Sequence, residues 1–452
     1  MSMFTWDVVD PAPGEAVAPH QRLAWGKTIG LGAQHVVAMF GATFVFPLVM
    51  GLDANLAIMF SGICTILFLL IVSNRVPSYL GTSASFVGGV VAIREQGGDS
   101  ADVTGAIMVA GVALAVVGIL VHVSGTGLIN KILPPAVTGA VVMLIGFNLA
   151  PVVAGIYWPQ DQWIALLTAA FMVCAAVMLP GFWSRIAVLL ALVFGYLLSV
   201  LADAVFGPIT SVLGGATEAT EHDRVTWAGV QAADWIGLPS GDLADGVSVV
   251  HAPSFSLTFI LLVLPGVIAL IAENTGHVKA VAEMTGEDLD PYMGRAIGAD
   301  GVATALASAF GGSPTTTYAE NIGVMGATRV YSTAAYYVAA VVAILLGLCP
   351  KFGAIVNATP GGVLGGITVV LYGMIGLVGA KIWVENRVDF GNPANLVGLA
   401  AGLIIGIGNV QLVISDDFTV GGIALGTIVV IVFYHLVNRR QGAGTGHVTR
   451  AL

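Results

Sequence analysis

Val103-Thr-Gly-Ala-Ile-Met-Val-Ala-Gly-Val-Ala-Leu-Ala-Val-Val-Gly-Ile-Leu-Val-His-Val123 is 21 residues long and contains no Asp, Glu, Lys or Arg. A helix of that length rises about 30 Å, the thickness of a bilayer's hydrocarbon core. The stretch does not alternate polar with apolar residues, as a membrane barrel strand would. Ile186–Val205, Leu257–Ala272, Ala334–Leu348 and Ile423–Val437 read the same way. In lipid only helices and closed barrels satisfy their own backbone groups. The runs therefore predict an all-α, polytopic membrane protein in contact with a lipid bilayer.

Composition agrees. Of 452 residues, 57% are hydrophobic and 9% are charged, whereas a soluble domain carries about 25% charged residues. Mean hydropathy is +0.93. Glycine is abundant, at 59 residues, and small residues let helices approach closely in a membrane. The net charge of -10 comes from acids gathered in Glu218–Asp245 and Glu283–Asp290. These read as solvated loops, and no basic patch invites nucleic acid. Met1–Arg22 has no apolar core, so it is not a cleavable signal, and the first apolar run serves for insertion.

Apolar runs between polar or Pro/Gly breaks predict about fourteen spans. They lie near 29–49, 55–73, 83–94, 104–123, 134–154, 162–179, 184–205, 255–281, 292–310, 318–328, 331–348, 357–382, 393–410 and 419–437. The third and tenth are short and rich in Gly, Ser and Thr. With a cytoplasmic N-terminus, 13 of the 16 Lys and Arg residues fall inside, Lys131 and Arg450 among them; Arg94, Arg224 and Lys351 fall outside. That bias sets the orientation. It puts both termini in the cytoplasm of a cell (inner) membrane and residues 206–252 outside.

An internal repeat organises these spans. Tyr79-Leu-Gly-Thr-Ser-Ala-Ser-Phe86 resembles Phe310-Gly-Gly-Ser-Pro-Thr-Thr-Thr317, with Gly81 and Gly311 230 positions apart. The stretch from Pro135 to Gly146 resembles the one from Pro360 to Gly373, with the prolines 225 apart. Both offsets are near half the chain. Seven spans per half is odd, so the copies insert with opposite topology. Inverted repeats with short, interrupted segments at matching positions mark a transporter's midplane site.

Ionisable residues inside apolar runs are costly there and are functional candidates. Glu273 and His277 stand four residues apart and share a helix face. A carboxylate beside an imidazole suits proton handling; a polar pair facing the loop after the eighth span is the alternative. Glu320 follows a Ser/Thr/Pro run and opens a short helix, whose first N–H groups are free to bind a ligand. Thr82–Gly89, with Ala84 and Ser85, forms the mirror half-helix. A small polar heterocycle would sit between the two helix starts, with Tyr318 or Phe86 to stack on it; plain packing is the other reading of Phe86. Gln34 and His35, early in the first span, serve either an inter-helix hydrogen bond or a ligand. There is no metal-ligand spacing, phosphate loop or nucleophile motif, so neither an ATP-driven pump nor an enzyme is expected, and no cofactor.

Glu320-Asn-Ile-Gly-Val-Met-Gly-Ala-Thr-Arg329 resembles the signature of the nucleobase–ascorbate transporter family: an acid or Gln, Asn, any residue, Gly, four residues, Thr, then a base. Gln34-His35 with Met39-Phe-Gly-Ala-Thr43 is similar to the first-span motif of its bacterial uracil permeases. Ala272-Glu-Asn-Thr-Gly-His277 is similar to the eighth-span motif. Asp290-Pro-Tyr-Met-Gly-Arg295 and Thr316–Asn321 resemble the pyrimidine branch. The likeness covers about residues 25–437.

The resemblance implies fourteen spans in two inverted repeats of seven. After a tail at 1–28, a core domain takes residues 29–130 (spans 1–4) and 253–350 (spans 8–11). A gate domain takes 131–205 (spans 5–7) and 351–437 (spans 12–14). Residues 206–252 form the extracellular loop and 438–452 a second tail. It implies that Glu273 and Glu320 bind the substrate, that His277 supports Glu273, and that Tyr318, the backbone of Ala319 and Ala42 line the site. Asn321 is a structural polar residue, and Glu273, His277 and Glu320 handle the proton. The expected activity is proton-coupled import of uracil or a related pyrimidine. A purine symporter for xanthine or urate is the alternative on the same scaffold, and a passive channel a further one. A homodimer through the gate domains is also expected. The chain departs from the uracil pattern at Ala84, where those permeases often carry an aromatic, and the smaller side chain leaves room for a bulkier base.

Overall fold

A computed structural model describes residues 4–12, 15–125, 127, 133–213, 218–415 and 418–444. Lys131, Arg450 and the expected core–gate boundary at 130/131 lie outside them. The apolar runs become helices because their breaks are caps. Asp53 accepts Leu56 N and starts α2. Asp99 and Asp102 form a capping box on α4. Asp161 accepts Trp163 N and Ile164 N on α6. Gly51, at φ 70°, takes the left-handed conformation that ends α1.

In chain order the helices are α1 (Trp25–Met50), α2 (Ala54–Ile71), α3 (Val87–Glu95), α4 (Ser100–Ser124), α5 (Pro135–Asn148), α6 (Gln162–Met178), α7 (Ala187–Phe206), α8 (Leu257–Thr285, jointed at Leu264), α9 (Met293–Ser308), α10 (Ala319–Thr328), α11 (Thr333–Gly347), α12 (Pro350–Asn357), α13 (Gly361–Glu385), α14 (Pro393–Ile407) and α15 (Gly422–Gly444). Every predicted run holds a helix. Seven are individually long and apolar enough to cross a bilayer, α5 counting with its extension to Gln160. The pair α11 and α12, bent by 81°, would make an eighth. The sequence reading missed α12, since Pro350 turns the chain at the end of the eleventh run.

The third and tenth runs are each a short helix, with a strand just before it. Strand β1 (Leu80–Thr82) pairs antiparallel with β2 (Thr315–Thr317), and all six residues are buried. The equivalence differs from the sequence alignment: Leu80 matches Thr315 at an offset of 235, not 230, because Gly81 lies inside β1 whereas Gly311 lies before β2. At the second pair the helix caps are Pro134 and Pro360, one residue away from the Pro135–Pro360 match.

Two packing groups emerge. In one, α4 lies along α9 and α11 lies against α1 and α2; in the other, α13 lies on α5 and α6, and α14 on α15. Glycines set the closest approaches. A Cβ on Gly111 would lie 2.7 Å from Ala305 N, and one on Gly301 would lie 2.6 Å from Gly111 O. The N-terminal stretch is not a free tail. Asp7–Val8 pairs with Gln21–Arg22, Val17 bridges to Val330, and Trp6 Nε1 donates to Thr333 Oγ1 at 2.8 Å.

Gly111→Val should therefore lower stability by about 1–3 kcal/mol through overpacking of α4 on α9. Thermal unfolding of the purified protein reads this out, with Gly373→Ala as the neutral control, since its Cβ would meet nothing within 4 Å.

Candidate functional site

The chain leaves β2 at Thr317, and Tyr318 N donates to Tyr79 O at 3.0 Å. Tyr318 then caps α10 in an extended conformation, with no side-chain hydrogen bond to the helix. The first N–H groups of α10 therefore have no capping side chain. Ala319 there is exposed and Glu320 half-buried. The opposite start differs: Ser83 Oγ accepts Ser85 N at 3.2 Å. One half-helix is closed by its own serine and the other is open, which makes the α10 start the better ligand acceptor. Ala84 and Ser85, just before α3, are half-buried.

The aromatic candidates are both packed. Tyr318 is buried, and its ring lies where a Cβ on Gly81 would be. Its hydroxyl donates to Thr82 O at 2.8 Å and accepts from Thr43 Oγ1 at 3.2 Å. Tyr318 thus fastens α10 to β1 and α1, next to buried Ala42. Phe86 is fully buried, and a Cβ on Gly266 of α8 would lie 2.9 Å from its Cδ1. In this conformation Phe86 packs on α8 and leaves no face for stacking.

On α8, which packs on α10 and β2, Glu273 is half-buried. His277 is turned toward β2 rather than toward Glu273: its Nδ1 is 2.7 Å from Thr317 Oγ1. Thr317 Oγ1 in turn donates to Asn274 Oδ1 at 3.4 Å. That assignment makes His277 Nδ1–H the donor and leaves Nε2 as an acceptor.

Behind them lies a residue that the sequence reading missed. Asp300 of α9 is fully buried. Its Oδ2 accepts Asn274 Nδ2 at 2.7 Å and its Oδ1 accepts Thr315 Oγ1 at 3.3 Å. A buried carboxylate needs such partners. The signal was present, since an acid inside the ninth apolar run meets the criterion that singled out Glu273. Asn321 Nδ2 donates to His35 O at 2.9 Å and lies 3.2 Å from His35 Nδ1. The His35 ring packs on Tyr336, with centroids 4.4 Å apart. Of the two readings of His35, the inter-helix hydrogen bond is the one formed; Gln34 beside it is half-buried.

Residues 26–414 match a permease family. The chain belongs to the nucleobase–ascorbate transporter family of permeases. It is 43% identical over 436 residues to RutG of Escherichia coli (strain K12), described as a pyrimidine permease, covering 94% of this chain and 92% of that protein. It is 35% identical to the uracil permease of Bacillus caldolyticus (92% and 94%) and 34% identical to that of Escherichia coli (strain K12) (92% and 92%). Among solved structures, the transmembrane domain of the cyanobacterial bicarbonate transporter BicA is similar with a TM-score of 0.57, over 93% of this chain and 99% of that one. The murine anion transporter Slc26a9, in an inward-facing state, gives 0.64 over 92% and 69%. Both are 13% identical, so they speak for the fold alone. The permease is an integral membrane transporter and not an enzyme.

Tyr318→Phe removes the hydroxyl that joins β1, α1 and α10. It should cost about 1–3 kcal/mol, because Thr82 O is left buried and unpaired. A lower Tm in purified Tyr318→Phe protein, with Tyr336→Phe as comparison, checks this.

Proposed function

We propose that this permease is a proton-coupled symporter that imports uracil or a related pyrimidine across the inner membrane. The carrying observation is the uncapped start of α10, with Glu320 at its second position and Glu273 on the neighbouring α8. A pyrimidine such as uracil alternates N–H donors with carbonyl acceptors. The Glu320 carboxylate accepts the donors, and the free N–H groups of α10 donate to a carbonyl. The relatives' names, uracil permease and pyrimidine permease, support this substrate class.

The wider frame is fourteen spans in two inverted repeats, with both termini cytoplasmic. Two strand–helix units that pair antiparallel support the inversion. Arg94 and Lys351 meet Asp245 and Asp234 of the segment that carries Arg224, which supports the orientation. The packing of α1, α2, α4, α9 and α11 apart from α5, α6, α13, α14 and α15 supports a core and a gate that move against each other. Glu273 carries the proton. A neutral carboxyl both donates to and accepts from the base, and the loaded site then crosses the low-dielectric middle at less cost. His277 and the Asn274–Asp300 pair hold α8 to β2 around it. Small Ala84 leaves space for a second ring, which is the basis of the purine reading. Competition by uracil, xanthine and urate against labelled uracil uptake separates the two.

Glu320→Gln replaces an acceptor with a donor at the base. Binding should weaken by about 1.5–3 kcal/mol, roughly 10- to 150-fold, in titration calorimetry on folded protein; unchanged affinity removes Glu320 from the site. Glu273→Gln should abolish accumulation driven by acidifying the outside of proteoliposomes while keeping substrate exchange. Undiminished uphill uptake would place the proton elsewhere, with Glu320 and Asp300 the next groups to test.

A further inference from the structure

Residues 220–254 are fastened to both packing groups. At one end, Arg224 sits between α6 and α7. Its Nε donates to Asp161 Oδ2 at 2.7 Å, and its Nη1 donates to Asp203 Oδ1 and to Gly207 O, each at 3.0 Å. Arg224 N and Val225 N also donate to the two oxygens of Asp203, each at 3.1 Å. The Arg224 side chain is only 12% exposed, so water screens this cluster less than a surface pair such as Lys27–Asp10. Midway, the segment crosses the α11–α12 bend: Gly237 N donates to Leu348 O and Lys351 N to Asp234 O.

At the other end, Asp245 Oδ2 accepts Arg94 Nη1 at 2.5 Å, Ser100 N at 2.7 Å and Ser100 Oγ at 2.6 Å. Arg94 stands in the last turn of α3, and its Nη2 reaches Met50 O at 3.3 Å and Gly51 O at 3.4 Å, where α1 ends. Asp245 thereby joins the ends of α1 and α3 to the start of α4. Partial burial opposes its charge, but the bonds from Ser100 and Arg94 hold the carboxyl down at about 2. His251 Nε2 to Thr104 Oγ1, at 3.0 Å, and Ser254 to Asp102 reinforce this anchor.

Between the anchors, α3 is pressed against the other group. Gly88 meets Asn148 of α5 and Ile423 of α15, Gly89 meets Leu262 and Val263 of α8, and with Ala92 they line a cavity of only about 10 Å³. That space holds about one water and no nucleobase.

We propose that residues 220–254 are a strap and that Arg224 and Asp245 are positioning residues for transport. By engaging both helix groups at once, they keep α3 closed against α5 and α15. Sliding of the groups displaces one anchor from the other, so the face opens only when an anchor lets go. This rests on the reading of two moving groups above.

The test is a reporter cysteine, Ala92→Cys, in full-length protein with Cys174 and Cys349 replaced by Ser, labelled by a maleimide without added substrate. Arg224→Ala and Asp245→Ala should each speed labelling about fivefold, the equilibrium weight of a partly buried ion pair. Cutting a protease site inserted after exposed Leu238 should do the same in a protein that folded with its strap intact. Labelling at the unmodified rate in the cut protein and in both variants, each monodisperse, overturns the strap. A change in Tm alone, without faster labelling, overturns the positioning role equally. Uracil uptake by the same reporter protein separates the two readings. Faster labelling in a protein that takes up no nucleobase keeps the strap and removes the substrate assignment.

Discussion

Three antiparallel residue pairs, Leu80–Thr317, Gly81–Thr316 and Thr82–Thr315, underlie the rest of this structure. A chain at membrane depth cannot leave backbone groups unpaired, since each costs several kcal/mol. A helix can therefore stop halfway across only if something else takes its hydrogen bonds. Here each broken segment supplies the partner for the other. Neither half of the protein could keep its short helix without the opposite half, and the open start of α10 exists because β2 is satisfied sideways by β1.

From that ladder the polar interior spreads outward in bonded steps. Thr315 reaches Asp300, Asp300 reaches Asn274, and Thr317 joins Asn274 to His277. The network fastens α8 and α9 to the ladder while Glu273 and Glu320 stay half-buried at its edge. Residues bonded to one another hold the frame, and the carboxylates left partly exposed are the ones able to meet a ligand. Tyr318 belongs to the frame in this sense: its hydroxyl is used inside the protein, and its service to the site is to fix where α10 begins.

Much of the site was legible in the sequence because membrane chemistry is strict. An acid in an apolar run is conspicuous, so Glu273 and Glu320 announce themselves, and the signature around Glu320 names the family. Asp300 carried the same signal and was passed over amid the glycines and alanines of its run. The pairing of His277 was not legible. Spacing along a helix says that Glu273 and His277 share a face, but not that a threonine from a distant strand lies closer to the ring. Phe86 and Tyr318 show the same limit, since an aromatic beside a site can stack on ligand or fill a gap, and only the neighbours Gly266 and Gly81 decide which.

The sequence by itself determined the class: runs of about 20 apolar residues admit no structure in lipid but helices, and their breaks set the helix ends to within a few residues. It also determined that two segments are broken, since 11 or 12 residues rich in Gly, Ser and Thr are too short to span. The tertiary structure alone decided the register of the repeat, the bend into α12, the docking of residues 4–22 and the two anchors of residues 220–254. Those features rest on contacts between residues hundreds of positions apart, such as Trp6 with Thr333 and Leu80 with Thr317. Local hydropathy contains no term for such contacts, because a strand's partner and a loop's anchor are chosen by which backbone and side-chain groups are left unpaired once all the helices have packed.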